Sequence, residues 1–251
     1  MIEEVAFTHD SMTVRGYLVF PETGSTLYPL VVLAHGFGAN GRRTLGFAEN
    51  LAKDGLAACS FSFCGAFDGD SDGSTLGRSV LTEAADLRAV LAGLAARPDI
   101  NETRVGLLGM SEGGCVSTLV AAECPQTLRA LALMYPAFCI PDDACERVAA
   151  NGGVVPESMD VMGHTIGGVY LRDAMTCDPF AGMPRYAGPV LIVHGTADEI
   201  VPIEYSRRAA KTFPNARLIE VEGAGHGMRH EKAAEMAEPV TAFLRAQLLA
   251  R

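Results

Sequence analysis

Basic residues are scarce in this chain: 20 Lys and Arg stand against 30 Asp and Glu, which gives a net charge of −10. So acidic a protein is not expected to bind nucleic acid or an anionic membrane surface. Apolar runs of the roughly 20 residues that cross a bilayer are also missing from the sequence. Residues 1–4 are acidic and show neither the basic nor the apolar segment of a signal peptide.

The cysteines show no CxxC pair and no other spacing typical of a metal site. There are seven of them, and this odd number favours reduced thiols in a cytoplasmic protein over a disulfide framework. We therefore expect neither a metal nor another cofactor. With 251 residues, 49% of them hydrophobic, the chain can bury a full core as one domain, and the sequence also allows a homodimer.

Apolar runs alternate with amphipathic stretches along most of the chain. Strands are predicted at 30–34, 56–63, 105–108, 130–134, 189–193 and 217–221, with helices between most of them. This alternation predicts an α/β fold with a mostly parallel, doubly wound sheet. Strands at 5–7 and 13–20 predict an antiparallel N-terminal hairpin. Residues 136–186 break the alternation with five prolines and two Gly-Gly pairs, and we expect them to form a small inserted cap.

One serine stands in a specific motif. Positions 109–113 read GMSEG, after the apolar run 105–108 and before a helix-forming stretch at 115–123. This order is typical of a nucleophile elbow, which exposes a serine hydroxyl and aims a helix N-terminus at the reacting centre. We predict that Ser111 is a nucleophile. A second match, GDSDG at 69–73, has no leading apolar run and no following helix, so we interpret Ser71 as a polar turn residue.

An acid and a histidine follow Ser111 at the ends of two later strands. Asp198 ends the segment HGTAD, which follows the apolar run 189–193, and His226 ends EGAGH after the run 217–221. The chain order of serine, acid and histidine is that of α/β-hydrolase triads. His230 is a competing base. The glycines beside His226 favour His226, because they let its loop place an imidazole over the sheet edge.

The segment HGFG at 35–38 follows another buried strand. In hydrolases with the chain order serine, acid and histidine, the turn after the third strand gives one backbone N–H to the oxyanion hole. The residue after the nucleophile gives the second. We assign these donors to Phe37 and Glu112. His35 and His194 are predicted to support the oxyanion and acid loops, and His164 to be a surface residue of the cap. Four motifs at four strand ends predict a serine hydrolase.

Five segments together resemble the bacterial cinnamoyl, or feruloyl, esterases of the α/β-hydrolase superfamily. They are HGF at 35–37, DSDG at 70–73, GMSEGG at 109–114, HGTAD at 194–198 and EGAGH at 222–226. The similarity spans nearly all of residues 1–251, including the insertion. It implies a single α/β-hydrolase domain that hydrolyses esters of hydroxycinnamic acids such as ferulate, caffeate or p-coumarate. A small-molecule ester is the partner that this resemblance implies.

The cap segment GVYLR at 168–172 carries the resemblance to this subfamily. It implies that Tyr170 lies near the phenolic ring of the substrate and that Asp142 or Asp143 is the cap acid. The chain differs from the family at Glu112, where glutamine is frequent. This carboxylate either weakens the oxyanion hole or points into solvent. The loop 64–69 also differs from the family's shorter, more polar loop, which leaves the shape of the acyl pocket open.

Other functions fit the same residues. A general short-chain carboxylesterase or a monoacylglycerol-lipase-like hydrolase would use the same triad on a different ester. A non-catalytic binding protein on a hydrolase fold is a third reading, although such a protein would not need to keep Ser111, Asp198 and His226 together.

Overall fold

Ten strands and eight α-helices are present in the residues that the structure, a computed structural model, describes: 1–22, 24–228 and 231–250. The strands are β1 (Ile2–His9), β2 (Met12–Val19), β3 (Tyr28–Ala34), β4 (Ala57–Phe61), β5 (Ile100–Met110), β6 (Ala130–Met134), β7 (Ser158–Val161), β8 (His164–Gly167), β9 (Val190–Gly195) and β10 (Ala216–Val221). The helices are α1 (Gly41–Lys53), α2 (Val80–Ala95), α3 (Glu112–Glu123), α4 (Ile140–Ala150), α5 (Val169–Thr176), α6 (Pro179–Gly182), α7 (Ile203–Thr212) and α8 (Ala233–Leu249). A short 3₁₀-helix covers Met183–Arg185.

Eight strands form one sheet in the order β1-β2-β4-β3-β5-β6-β9-β10. β2 pairs antiparallel with both β1 and β4, whereas each neighbouring pair from β4 to β10 is parallel. The prediction of a mostly parallel α/β sheet with an antiparallel N-terminal hairpin is therefore confirmed. A parallel sheet of this kind needs helices on both of its faces.

Two apolar clusters supply that cover. One includes Leu87 of α2 and Val116 of α3, and the other includes Leu51 of α1 and Leu244 of α8. Every residue of β4, β6 and β9 is buried, as their continuous apolar runs predict. Among the described residues, none of the helices combines the length and the apolar content that spanning a bilayer requires.

Strand β5 and helix α3 begin earlier than the apolar pattern predicts. β5 starts at Ile100 and α3 at Glu112, against expected starts at 105 and 115. Glycine is a poor helix former, so local propensity hides the first turn of α3. A Cβ on Gly113 would lie 2.3 Å from the carbonyl oxygen of Ala34. Close packing of α3 on β3 therefore requires glycine and overrides its low helix propensity.

The insertion at 136–186, the cap, lies between β6 and β9 and contains regular elements. They are α4, the antiparallel hairpin of β7 and β8, α5 and α6. Helix α5 packs against α4 and α2. Asp173 of α5 accepts a hydrogen bond from the hydroxyl of Ser79, the residue that caps α2. The cap is thus held to the sheet domain by a polar contact as well as by apolar packing.

The loops after β3, β5, β9 and β10 carry the four motifs predicted from the sequence. Each neighbouring pair in the order β3-β5-β6-β9-β10 is parallel, so these strands all run in the same direction. Their carboxyl ends therefore lie at one edge of the sheet. The topology therefore gathers residues that are far apart in the sequence.

Candidate active site

Ser111 lies between the end of β5 and the start of α3, with φ 52° and ψ −119°. A non-glycine residue with positive φ is strained, and it persists only where its surroundings hold it. The neighbours here approach closely: a Cβ on Gly109 would lie 2.5 Å from the Ser117 hydroxyl oxygen. A Cβ on Gly36 would lie 2.9 Å from the Ser111 Cβ. Glycines at 109 and 36 therefore allow the turn that presents the Ser111 hydroxyl.

A hydrogen-bonded chain runs from Ser111 through His226 to Asp198. The Ser111 Oγ lies 3.0 Å from His226 Nε2, and His226 Nδ1 lies 2.7 Å from Asp198 Oδ2. Because the Asp198 oxygen accepts, we assign the imidazole proton to Nδ1, which leaves Nε2 free to accept the serine hydroxyl proton. His230, the competing base, lies outside the described residues.

Asp198 is held as a carboxylate. Its Oδ1 accepts hydrogen bonds from the backbone N–H groups of Ile200 and Val201, both at 2.9 Å. Burial raises the pKa of this carboxyl, but hydrogen bonds from His194 and His226 outweigh it and bring the pKa well below its usual range. Asp198 therefore carries a negative charge beside His226 near neutral pH.

Two further histidines support the loops around this chain. His194 Nε2 lies 3.1 Å from Asp198 Oδ2, and its Nδ1 lies 2.7 Å from the Ser206 hydroxyl. His35 is fully buried, accepts the Phe63 N–H at Nε2 and contacts the Gly36 carbonyl oxygen through Nδ1. Both imidazoles are thus placed as the sequence predicts, against the acid loop and the loop after β3.

The burial of His35 leads to a pH prediction. Burial lowers the pKa of His35 from 6.5 to about 3, so below pH 6.5 the unfolded chain takes up a proton that the folded protein does not. Stability must then decrease as the pH falls. From this group alone we expect the free energy of unfolding to drop by about 1 kcal/mol per pH unit between about pH 6 and 4. The test is the NMR signal of the His35 imidazole, which should stay constant down to pH 5. A signal that titrates above pH 5 would contradict the prediction.

The two predicted oxyanion donors follow two different strands, β5 and β3. Glu112 is the first residue of α3, where the geometry of a helix leaves the backbone N–H without an intrahelical partner. Phe37 follows β3, beside Gly36 and against the elbow. The roles of these two backbone N–H groups as oxyanion donors stay a prediction.

A cavity of about 830 Å³ opens at Ser111 and His226. Aromatic rings form part of its lining: the Phe67 and His164 rings stack with centroids 3.9 Å apart, and the Phe37 ring lies edge-on at 5.3 Å from Phe67. His164 was expected on the surface of the cap, but it lines this cavity. Phe67 was not predicted to line the cavity. The available signal was that its loop, 64–69, differs from the corresponding loop of the family. We call Phe37, Phe67 and His164 the aromatic wall.

Behind the cavity lies a buried ionic cluster, which we call the Arg78 cluster. Arg78, Glu83 and Glu112 are each at most 1% exposed. Arg78 donates to Glu83 and, at 2.5 Å from Nη2 to Oε2, to Glu112. The Tyr170 hydroxyl donates to the other Glu112 oxygen at 2.6 Å. Glu112 therefore does not point into solvent, and a buried arginine that the sequence analysis did not single out neutralises its charge.

The structure does not bring the three predicted cap contacts, Tyr170, Asp142 and Asp143, to the cavity at Ser111. The Tyr170 hydroxyl is used by Glu112, and burial together with this carboxylate raises the Tyr170 pKa well above its usual value. Asp142 accepts a hydrogen bond from Tyr205 at 2.6 Å, and both Asp142 and Asp143 are exposed. None of the three is among the residues that line the cavity at Ser111. His164, the first residue of β8, is the cap residue that lines this cavity.

Ser71, the second serine in a GxSxG motif, has a structural place. Its hydroxyl accepts the Arg15 N–H at 2.8 Å and donates to the Ser62 carbonyl oxygen at 2.5 Å. The flanking acids pair with arginines, Asp70 with Arg42 and Asp72 with Arg15. Ser71 is a turn residue, as its sequence context predicts.

One group of described residues has donor atoms close enough together to hold a metal ion: His9, Cys64 and Asp86, within 4.8 Å of one another. Hydrogen bonds account for this arrangement. His9 Nε2 lies 2.5 Å from Asp86 Oδ1, and the Cys64 N–H donates to Asp86 Oδ2 at 2.7 Å. None of the three lines the cavity at Ser111. All seven cysteines of the chain are free thiols.

Comparisons with known proteins agree with this architecture. Residues 27–158 match the family described as serine aminopeptidase, S33, and residues 176–249 match one described as TAP-like protein. The chain is 28% identical over 228 residues to an uncharacterized protein of Mycobacterium tuberculosis strain H37Rv, covering 88% of this chain and 71% of that protein. It is 40% identical over 70 residues to the non-heme chloroperoxidase CPO-A1 of Kitasatospora aureofaciens. That match covers 27% of this chain but only about a quarter, 26%, of the relative.

A solved structure is similar over the full length. The esterase Est1E from Butyrivibrio proteoclasticus, with ferulic acid bound, superimposes with a TM-score of 0.89 at 26% identity. The match covers 98% of this chain and 100% of that chain. The first family match spans more than half of the sequence, and the sheet order agrees with it. The chain is therefore an esterase-like α/β-hydrolase that belongs to the serine aminopeptidase S33 family.

Proposed function

We propose that this protein is a serine carboxylic-ester hydrolase with Ser111, His226 and Asp198 as its catalytic triad. The observation that carries the proposal is the unbroken chain of hydrogen bonds from the strained serine to the buried carboxylate, at the mouth of a cavity. The same three groups in the same connectivity perform acyl transfer on several unrelated folds.

The geometry suits the two halves of such a reaction. Ser111 Oγ attacks the ester carbonyl carbon while His226 Nε2 takes the hydroxyl proton, and Asp198 stabilises the imidazolium that forms. The carbonyl oxygen becomes an oxyanion between the N–H groups of Phe37 and Glu112. The C–O bond to the alcohol then breaks, and His226 gives its proton to the departing oxygen. Water repeats the sequence on the acyl-enzyme, which releases the carboxylic acid and restores Ser111.

For the acyl group we propose a hydroxycinnamate. The aromatic wall offers ring surfaces in the cavity lining against which a planar aryl group can pack, and offset or edge-on ring contacts stabilise such pairs. The similarity to a full-length esterase structure with ferulic acid bound supports the same class of ligand. The stacking role belongs to Phe67 and His164 in this proposal, because the hydroxyl of Tyr170 already donates to Glu112.

The proposal is tested by a panel of substrates on the wild-type protein and on His164→Ala. We expect kcat/KM to be higher for methyl ferulate than for a monoacylglycerol, and we expect a fluorophosphonate to label Ser111. In His164→Ala, kcat/KM for methyl ferulate should drop about tenfold, because one ring of the wall is lost. The value for p-nitrophenyl butyrate, which has no aryl acyl group, should change less than about twofold.

His9→Ala is the matched control, since His9 is a partly buried histidine that does not line the cavity. Its ratio of kcat/KM between the two esters should equal that of the wild type. Equal losses on both esters in His164→Ala would assign His164 to cap packing. Activity on butyrate or monoacylglycerol but not on ferulate would favour the general carboxylesterase or lipase-like reading. Cleavage of an amino-acid p-nitroanilide but not of an ester would favour a peptidase. Labelling failure with no hydrolysis would favour a binding protein.

A further inference from the structure

We infer that Arg78 is a positioning residue that holds both oxyanion donors, through an ion pair to Glu112 and a ring contact to Phe37. The inference rests on the proposed function, because it concerns the hole in which that reaction would stabilise charge. Arg78 itself does not line the cavity, and its side chain is fully buried. Any effect of Arg78 on the reaction must therefore pass through the residues that it touches.

The first link is to Glu112. This residue directly follows Ser111, and its backbone N–H is one proposed donor, so fixing its side chain restricts the rotation of the same residue. Both carboxylate oxygens are held: Oε2 lies 2.5 Å from Arg78 Nη2, and Oε1 lies 2.6 Å from the Tyr170 hydroxyl oxygen. Charge-assisted bonds of this length are stronger than neutral ones.

The second link is to Phe37, the other proposed donor. The guanidinium carbon of Arg78 lies 5.0 Å from the centroid of the Phe37 ring and 5.1 Å from that of Phe67. A guanidinium at this distance from an aromatic face is attracted to it, more strongly where water is excluded. One side chain thus contacts Phe37, in the loop after β3, and Glu112, the first residue of α3. These two residues carry the two proposed oxyanion donors.

The charge of Arg78 also matters. An isolated Glu112 carboxylate would lie buried beside the place where negative charge develops, and it would oppose the oxyanion. Arg78 neutralises it. The remaining acid of the cluster, Glu83, also pairs with Arg78, and burial raises the pKa of its carboxyl well above the usual value.

The cluster is poorly suited to a purely stabilising role. Arg78 Nη1 and Glu83 Oε2 are buried without a hydrogen-bond partner among the described residues. Buried ion pairs are weak contributors to stability even when complete, and unpaired buried atoms make them weaker. A role in positioning the site would account for the burial of the Arg78 cluster next to the elbow.

The test compares Arg78→Met, which has a side chain of similar length without charge, with the wild type. We expect kcat for p-nitrophenyl acetate to drop between about tenfold and a hundredfold, while KM changes less than about threefold. Removing one oxyanion donor lowers kcat by about 10²- to 10³-fold in comparable enzymes, and misplacing a donor should cause part of that loss. The rate of Ser111 phosphonylation by a fluorophosphonate should decrease in parallel, since the phosphonyl oxygen occupies the same hole.

A double variant separates positioning and charge from mere structure. Adding Glu112→Gln to Arg78→Met removes the unpaired carboxylate, and we expect kcat to recover about tenfold relative to Arg78→Met alone. If Arg78→Met does not fold, Arg78→Lys keeps the charge but not the forked geometry, and its kcat should still drop about threefold to tenfold. A purely structural role predicts a further loss of kcat in the double variant, in step with its thermal midpoint, and would overturn the inference.

Arg97→Met is the matched control. Arg97 also pairs with two carboxylates, Glu3 and Asp99, and also lies over an aromatic ring, that of Phe20, at 5.8 Å. It does not line the cavity, so its kcat should stay within about twofold of the wild type. Folded Arg78 variants with unchanged kcat in an active protein would overturn only this inference. A wild-type protein that neither hydrolyses esters nor reacts with fluorophosphonate would overturn the proposed function and, with it, the role of Arg78.

Discussion

Ser111→Ala is expected to lower kcat for ester hydrolysis by roughly a million-fold, to the background set by binding and the oxyanion hole. The variant lacks the only atom that can form the acyl-enzyme in the proposed mechanism. Its fold should be retained, because alanine occupies no more space at the elbow than serine does. Steady-state rates on methyl ferulate and intact-protein mass after fluorophosphonate treatment measure the loss.

Ser71→Ala is the matched control for this variant, since Ser71 stands in the second GxSxG motif. It should remain active, although loss of its two hydrogen bonds, to Arg15 and Ser62, lowers stability by about 1 kcal/mol each. Turnover by Ser111→Ala within tenfold of the wild type would refute the assignment of the nucleophile. Equal losses at both serines would show that the two motifs had been wrongly ranked.

His226→Ala should be as inactive as Ser111→Ala, because a nucleophile and its base act as one unit. The Ser111→Ala/His226→Ala double variant should therefore lose no more than either single variant. His230→Ala is the control, and it should keep kcat within a few-fold of the wild type. An active His226→Ala together with an inactive His230→Ala would mean that the base had been assigned to the wrong histidine.

The fold was predictable because its signals are local. Continuous apolar runs such as 130–134 and 189–193 become strands that are buried at almost every residue. The misjudged start of α3 has a long-range cause. The helix needs glycine at position 113, because a Cβ there would lie 2.3 Å from a backbone oxygen of β3. No local pattern reports that distance.

The site was predictable only in part. Ser111, Asp198 and His226 each follow a strand of the parallel part of the sheet, so strand order alone indicated that they would meet, and the structure places them within hydrogen-bonding distance. Arg78 gave no such signal. A lone arginine in a polar stretch is ordinarily exposed, and its burial depends on Glu83, Glu112 and two rings from other segments. Tyr170 lies within the insertion at 136–186, but the orientation of its hydroxyl depends on Glu112 of the same cluster.

In the proposed function, the hairpin of β7 and β8 carries a residue that selects the substrate but none that performs the chemistry. His164 is the first residue of β8, directly after a turn at 162–163, while the proposed triad and oxyanion donors lie on loops of the main sheet. Successive residues of a strand face opposite sides, so a one-residue insertion in that turn would exchange the side chain offered to the cavity. Under the proposed role of His164, a change in the length of this one short turn would alter the acyl preference without altering any residue of the proposed reaction machinery.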